Sequence, residues 1–246
     1  MIETLRATRG VLRSLGTYYG RRQRAAAMDR LYGGFVQPGN LAFDIGAHVG
    51  DRVAAFRRLR ARVLAVEPQP ALAFTLKMLY GRDRSVTIEP VAVTRAPGIV
   101  RMMINVDNPT VSTASDAFVQ AAQDAPGWEG QAWDKSIRVP GTTLDALIAA
   151  HGLPAFIKID VEGFEAEALA GLTQPVNALS FEFTTILRSV ARNCIERCVT
   201  LGLTRFNAAI GESQELGAWR SADEIARWLD DLPHAANSGD VYAAMA

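Results

Sequence analysis

The 246-residue chain lacks several features that mark particular classes of protein. Its two cysteines, Cys194 and Cys198, are too few for a disulfide framework, and no second pair joins them to form a zinc site. No apolar run approaches the length of a membrane span, and the N-terminal segment lacks the continuous apolar stretch of a signal peptide. These absences predict a soluble, cytoplasmic protein that does not contact a membrane.

The sequence also has no excess of positive or negative charge. The sequence has 26 Lys and Arg against 26 Asp and Glu. Proteins that bind nucleic acids usually carry a basic excess, because phosphate contacts supply much of their affinity. The balance therefore argues against a nucleic-acid partner. Hydrophobic residues make up 49% of the chain and charged residues 21%, which is typical of a globular protein with a substantial core.

Short apolar segments alternate with helical ones along most of the chain. We predict strands at residues 41–45, 62–66, 86–88, 99–104, 155–160, 178–183 and 203–208. Helical stretches between most of these strands are typical of βαβ units, so the fold class is α/β with a doubly wound, mostly parallel sheet of six or seven strands. A last strand at 241–244 is predicted to run antiparallel at the edge of that sheet.

Two turn-forming pairs mark one boundary in the chain. Gly33-Gly34 and Pro38-Gly39 separate an N-terminal helical segment, residues 1–38, from a larger domain at 39–246. We expect the helical segment to pack on the core of the domain.

Regularity weakens between residues 92 and 140. Residues 107–116 and 124–135 are rich in turn-forming and small polar residues, as binding loops often are. Trp128 and Trp133 in the second of these segments could line an acceptor pocket or pack on the surface.

The first informative motif is D-I-G-A-H-V-G at residues 44–50, between an apolar strand and a helix. Gly46 and Gly50 allow the backbone to turn sharply and to approach a ligand closely. Glu67 stands twenty-three residues beyond Asp44, at the end of the second strand, where an acid can accept the hydroxyl groups of a ribose. Either feature alone also fits an ordinary βα turn, but together they favour a nucleoside-containing cofactor.

Two other nucleotide motifs are missing from this loop. It lacks the G-x-G-x-x-G fingerprint of dinucleotide binding and the lysine of a P-loop. S-adenosylmethionine (SAM) has no pyrophosphate, and its sulfonium and amino groups favour a nearby carboxylate such as Asp44. The loop thus indicates SAM, with an oxidoreductase that uses NAD(P) as the alternative.

The second motif is F-I-K-I-D-V-E-G-F-E at residues 156–165. Asp160 and Glu162 follow a buried strand and are the predicted catalytic residues, because such acids can orient a substrate hydroxyl, accept its proton or hold a divalent cation. Glu182 on the next strand could add a third acid. Strand alternation points Lys158 the same way as Asp160, and an ion pair of the lysine with Asp160 or Glu162 is an equally good interpretation.

These motifs together resemble the FkbM-type family of SAM-dependent methyltransferases. The resemblance rests on the D-I-G-A segment with Gly50, on Glu67-Pro68, and above all on K-I-D-V-E-G at residues 158–163, and it covers about residues 40–183. It implies the seven-stranded methyltransferase sheet and transfer of a methyl group, commonly to a hydroxyl oxygen of a natural product or sugar. A domain that keeps this site only as a binding module is the non-enzymatic alternative, and the intact acids argue against it.

The resemblance also implies individual roles. The loop residues Asp44, Gly46, Ala47, His48 and Gly50 would bind SAM, and Pro68 would also belong to the cofactor site. Glu67 would hold the ribose, and Asp160 would face the methionine end of SAM or the reacting hydroxyl. His48 stands where the family usually has Asn, so its contact with cofactor or substrate is left open.

Overall fold

The structure is a computed structural model that describes residues 2–19 and 22–246. The helices in this part are α1 (Ile2–Tyr19), α2 (Arg22–Gly33), α3 (Asp51–Arg58), α4 (Pro70–Tyr80), α5 (Asp116–Gln123), α6 (Leu144–His151), α7 (Glu165–Ala170), α8 (Arg188–Thr200) and α9 (Ala222–Asp231). The strands are β1 (Leu41–Ile45), β2 (Arg62–Val66), β3 (Val86–Glu89), β4 (Ala92–Val93), β5 (Gly98–Ile104), β6 (Lys135–Thr142), β7 (Phe156–Ile159), β8 (Ala178–Thr184), β9 (Arg205–Ile210) and β10 (Ser238–Ala244).

Seven strands form the main sheet, in the order β3-β2-β1-β7-β8-β10-β9. All pairs between β3 and β8 are parallel, and only β10 runs antiparallel to its neighbours. This confirms the predicted α/β fold with a doubly wound, mostly parallel sheet. The strand order reverses between β1 and β7, and open α/β sheets bind ligands at the carboxyl ends of the strands at such a point.

The last strand is antiparallel as predicted, but its predicted place at the sheet edge is wrong. β10 lies between β8 and β9, and β9 forms the edge. Val241, Tyr242 and Ala243 are all fully buried, although neighbouring residues of a strand point to opposite faces. A continuous apolar run of this kind is typical of an interior strand covered on both faces.

A second, three-stranded sheet, β4-β6-β5, is inserted between β3 and β7. The sequence predicts β5 but not β6, because most of β6 is exposed or half-buried and Pro140 interrupts its strand pattern. The turn-rich residues 107–116 contain a short 3₁₀ helix, Pro109–Val111.

The core lies on both faces of the main sheet. One face buries alternate residues of β1 and β7, such as Phe43 and Ile157, against α6, α7 and α8. The other face buries Phe156 beneath Tyr32 of α2, with ring centroids 5.7 Å apart. The second N-terminal helix thus contributes directly to the core.

Helix ends follow local sequence signals. Ser221 and Glu224 form the predicted capping box of α9, in which each side chain accepts a hydrogen bond from the backbone of the other residue. None of the helices described is long and apolar enough to cross a membrane.

Candidate active site

A cavity of about 320 Å³ opens at the carboxyl ends of β1, β2 and β7. The predicted residues that line it are Asp44, Gly46, Ala47, His48, Glu67, Pro68, Asp160 and Glu162. Gly50 is the exception. It caps the N-terminus of α3 in a left-handed conformation, with φ of 85°, and does not line the cavity. The two motifs, more than a hundred residues apart in sequence, therefore meet at one site.

Gly46 is required by a contact within the protein. Its φ is 83°, and a Cβ atom on it would lie 1.8 Å from the carbonyl oxygen of Asp160. The Asp160 backbone N–H donates to the Ile45 carbonyl at 2.9 Å, so the glycine loop and the turn after β7 touch backbone to backbone. From the sequence we expect Gly46 to allow close approach of a ligand. In the structure its nearest neighbour is instead the turn that carries Asp160.

Asp44 lies near the end of β1 and is 1% exposed. Its Oδ2 atom is buried without a hydrogen-bond partner in the described chain. Burial, followed by the like charge of Asp51, raises the pKa of Asp44 to about 7. A buried carboxylate with a free oxygen beside an open cavity is suited to a cationic or hydrogen-bond-donating ligand.

Glu67 links the glycine loop to the start of α4. One of its carboxylate oxygens accepts the backbone N–H of His48 at 2.9 Å, and the other accepts that of Gln69 at 2.8 Å. Burial nevertheless raises the pKa of Glu67 to about 7. Each oxygen keeps a further lone pair, so the fixed carboxylate can still accept two hydroxyl hydrogens from the cavity.

His48 has a left-handed backbone, with φ of 50°, which Asn and His adopt more readily than most residues. This explains how His can replace the Asn that the family resemblance leads one to expect. Its Nε2 atom lies 3.5 Å from Ser14 Oγ on α1 and 3.4 Å from Thr110 Oγ1, and burial lowers its pKa to about 4. The ring thus joins α1 to the rim of the cavity.

Lys158 pairs with two carboxylates. Its ammonium donates to Asp160 Oδ2 at 3.1 Å and to Asp240 Oδ1 at 2.7 Å, and the lysine is fully buried. Burial opposes ionisation of Asp160, but the charges of Lys158 and Arg52 and the hydrogen bond from Lys158 together outweigh it and lower the pKa of that carboxyl.

Lys158 lies opposite Ser180 of β8 in the parallel ladder. Because the Ser180 side chain is small, the lysine side chain can pass over β8 and reach Asp240 of β10. The sequence predicts a pairing with Asp160 or Glu162, and the structure shows the one with Asp160; the pairing with Asp240 was not predicted.

Glu162 also has a left-handed backbone, with φ of 56°, an uncommon conformation for a residue other than glycine. The Thr113 hydroxyl donates to its carbonyl oxygen at 2.6 Å. The Phe118 ring lies against Gly163, where a Cβ atom would come within 2.7 Å of Phe118 Cβ. Residues 105–134, between β5 and β6, form a segment that we call the inserted segment. It therefore holds the turn that carries Glu162 in place.

Three acids converge beyond β7. Carboxylate oxygens of Asp160, Glu162 and Glu182 all lie within 4.8 Å of one another. Burial, followed by the charges of neighbouring acids, raises the pKa values of Glu162 and Glu182 well above their usual range. This brings Glu182 into the site, as its position on the strand after β7 suggests. Glu165 takes another role: its carboxylate accepts backbone N–H groups of Val161 and Gly163.

A network of ion pairs on the cavity wall formed by Asp51, Arg52 and Glu212 was not predicted from the sequence. Arg52 donates to Asp51 at 2.5 Å and to Glu212 at 3.0 Å, and Arg24 of α2 reaches the same two acids. Asp51 and Arg52 open α3 directly after the glycine loop, which is a usable local signal. No local pattern marks Glu212, which follows β9.

The two tryptophans of the inserted segment have different environments. Trp128 lines the cavity and packs edge-on against Phe118, with ring centroids 5.2 Å apart. Its Nε1–H is buried and without a partner in the described chain. Trp133 instead donates its Nε1–H to the Val111 carbonyl at 2.8 Å.

The sequence matches a known protein family over most of its length. The Methyltransferase FkbM domain matches residues 44–232, more than half of the chain. No curated protein sequence matches the chain significantly.

Several solved structures are distantly similar. Precorrin-6y C5,15-methyltransferase from Geobacter metallireducens is 14% identical, with a TM-score of 0.44 over 91% of this chain and 87% of that one. A TehB-like SAM-dependent methyltransferase from Corynebacterium glutamicum is 12% identical, with a TM-score of 0.45 over 89% and 88%. Fibrillarin from Aeropyrum pernix, with natively bound S-adenosyl-L-methionine, is 10% identical, with a TM-score of 0.43 over 85% and 68%.

Proposed function

The chain belongs to the FkbM methyltransferase family, and on that premise we propose that it transfers the methyl group of SAM to a hydroxyl oxygen of a small-molecule or sugar acceptor. The observation that carries the proposal is the pair of buried carboxylates, Asp44 and Glu67, at the ends of adjacent parallel strands on one cavity.

The two carboxylates suit the two ends of SAM. Glu67 is held by two backbone N–H groups and keeps lone pairs for the ribose hydroxyls. Asp44 offers its unpartnered oxygen to the positively charged methionine end. Gly46, Ala47 and His48 complete the loop between them.

Methyl transfer from a sulfonium is an in-line displacement, so positioning of the nucleophile supplies much of the rate. The hydroxyl oxygen bonds to the methyl carbon as the carbon–sulfur bond breaks, which leaves S-adenosylhomocysteine, and the hydroxyl proton must be removed. Asp160 and Glu162 are the groups we assign to this step, either as a carboxylate base or through a divalent cation that they bind.

The remaining wall of the cavity suits a hydroxylated acceptor. It presents Asn237 and Ser238 at the start of β10 and the indole of Trp128. A few polar groups on a partly aromatic wall can orient an uncharged molecule through hydrogen bonds. We expect acceptors with several hydroxyl groups and no negative charge, because the nearby acids would repel an anion.

An NAD(P)-dependent oxidoreductase is the weaker candidate. The pyrophosphate of a dinucleotide would lie close to the Asp44 carboxylate, and the loop has no G-x-G-x-x-G fingerprint. A thermal shift with NAD(P) and none with SAM would favour this alternative.

The reaction is tested with SAM that carries a CD₃ group and with monosaccharides, polyols and secondary alcohols as acceptors. We expect release of S-adenosylhomocysteine and a CD₃ ether detected by mass spectrometry. The double variant Asp160→Ala/Glu162→Ala should lower kcat by about 10²-fold or more at saturating SAM. The matched control is Glu196→Gln on the exposed surface of α8, which should leave the rate unchanged. Transfer to nitrogen or carbon only, or full activity of the double variant, would contradict the proposal.

A further inference from the structure

We propose that Asp160, Glu162 and Glu182 form a divalent-cation site, and that the bound cation holds and activates the acceptor hydroxyl. The inference deepens the proposed function and rests on it for the identity of the acceptor group. It assigns Glu182 a role as the third ligand and selects the cation over a carboxylate base.

The distances between the three acids fit one ion. Their ligand oxygens lie within 4.8 Å of one another. Two oxygens bonded to the same Ca²⁺, at roughly 2.3–2.6 Å each, are at most about 5 Å apart, so the arrangement fits this ion as it stands. For Mg²⁺, with bonds of roughly 2.1 Å, the limit is about 4.2 Å, which a small approach of the side chains would meet. The acids come from three different segments: the end of β7, the strained turn after it, and β8. A single ion can therefore bridge elements that are separate in the chain.

The acids have free oxygens for such an ion. Glu162 is 8% exposed, yet its carboxylate has no hydrogen-bond partner in the described chain, and its side chain lines the cavity. Glu182 Oε2 is likewise buried without a partner there. Buried polar atoms are normally satisfied, so unpartnered oxygens that face a cavity indicate a ligand.

The local charge points to a cation. Asp160, Glu162, Glu182 and Asp240 crowd around Lys158, whose two contacts are with Asp160 and Asp240. Glu182 and Asp240 are direct partners in the β8–β10 ladder, where like charges are destabilising. Four acids share one buried ammonium, with Arg52 as the next cation, and burial and mutual repulsion keep Glu162 and Glu182 from ionising. A divalent ion at the three acids would stabilise their ionised forms.

The ligand set also indicates the kind of ion. Three carboxylates without histidine or cysteine suit hard cations such as Mg²⁺, Mn²⁺ or Ca²⁺. Three protein oxygens leave coordination positions for water and for an acceptor oxygen, which the cation would make more acidic. The unpartnered Trp128 Nε1–H, on the same cavity, can donate to a second oxygen of the acceptor.

The test is a titration of the full chain with Mn²⁺ alone, followed by electron paramagnetic resonance, with and without S-adenosylhomocysteine. We expect one saturable site. Glu162→Gln and Glu182→Gln keep the shape of each side chain but remove its charge, and each should weaken Mn²⁺ binding at least tenfold. Glu196→Gln, an exposed glutamate on α8, is the matched control and should bind as the wild type does.

Two further measurements distinguish failure of the cation site from failure of SAM binding. Thermal melting checks that each variant is folded, and SAM affinity is measured on the same samples. Glu182→Gln should keep its SAM affinity within about threefold, because Glu67 and Asp44 are intact. A wild-type protein that binds SAM but no Mn²⁺ under either condition would overturn the cation site and leave the methyltransferase proposal standing. Mn²⁺ binding unaffected by both substitutions would also overturn it.

Discussion

Asp44 and Glu67 are 1% and 3% exposed, and neither forms an ion pair within the described chain. Burying a carboxylate without a cation is costly, so such residues are retained where a ligand supplies what the protein lacks. The sequence places both acids correctly at the ends of their strands, because a glycine loop and a strand stop are local signals. It cannot give their degree of burial, which depends on packing between segments that are distant in the chain.

Gly46→Ala tests the contact between the two motifs. The added Cβ would collide with the Asp160 carbonyl at 1.8 Å in addition to straining the backbone. We expect the free energy of unfolding to fall by about 3 kcal/mol or more, measured by urea denaturation.

Gly39→Ala is the matched control for this substitution. Gly39 has nearly the same φ, 84°, but no atom within 4 Å of the added Cβ. Only the backbone strain applies there, so the loss should be about 1–2 kcal/mol. Equal losses at the two positions would show that the contact with Asp160 does not restrict residue 46.

Strands and helices could be predicted from the sequence where the signal lies in the residues of the element itself. β1, β2 and β7 are short apolar strands followed by turn residues, and α9 begins at a capping box. The place of β10 in the sheet was not predictable, because its pairing with β8 and β9 depends on distant strands. For the same reason, the sequence does not predict the contact between Asp240 and Lys158.

Ser221→Ala tests one of these local signals. The Ser221 side chain accepts the Glu224 N–H at 3.3 Å, and the substitution removes this cap from α9. We expect a loss of about 1 kcal/mol in the free energy of unfolding, with SAM affinity unchanged since α9 does not line the cavity. A loss of SAM affinity in the folded variant would contradict the separation of α9 from the site.

The whole molecule should lose stability as the pH rises toward neutrality in the absence of ligand. Burial raises the pKa values of Asp44, Glu67 and Glu165 to about 7, from ordinary values of 3.8 and 4.5. Between about pH 5 and about pH 7 these three carboxyls keep protons in the folded chain that they have released in the unfolded chain, so together they make the free energy of unfolding fall with rising pH. His48, whose pKa burial lowers from 6.5 to about 4, acts in the opposite direction below about pH 6.5, but it is one group against three. Each group contributes at most about 1.4 kcal/mol per pH unit.

Asp44→Asn isolates one of these contributions. The amide does not titrate, so urea unfolding of the variant should depend less steeply on pH over this range than that of the wild type. Asp160, whose pKa is lowered, destabilises the fold only at more acidic pH and leaves the comparison unaffected. Identical slopes for the two proteins would show that Asp44 is already ionised in the ligand-free protein.

Calorimetric titration of the full chain with SAM and S-adenosylhomocysteine measures whether the cavity binds SAM through Glu67 and Asp44. We expect saturable binding of both. Glu67→Gln should weaken SAM binding by about 10- to 100-fold, because a hydrogen bond to a charged group contributes about 1.5–3 kcal/mol. The exposed control Glu196→Gln should bind SAM as the wild type does. Absence of binding by the folded wild type, or equal affinity in Glu67→Gln, would contradict the account.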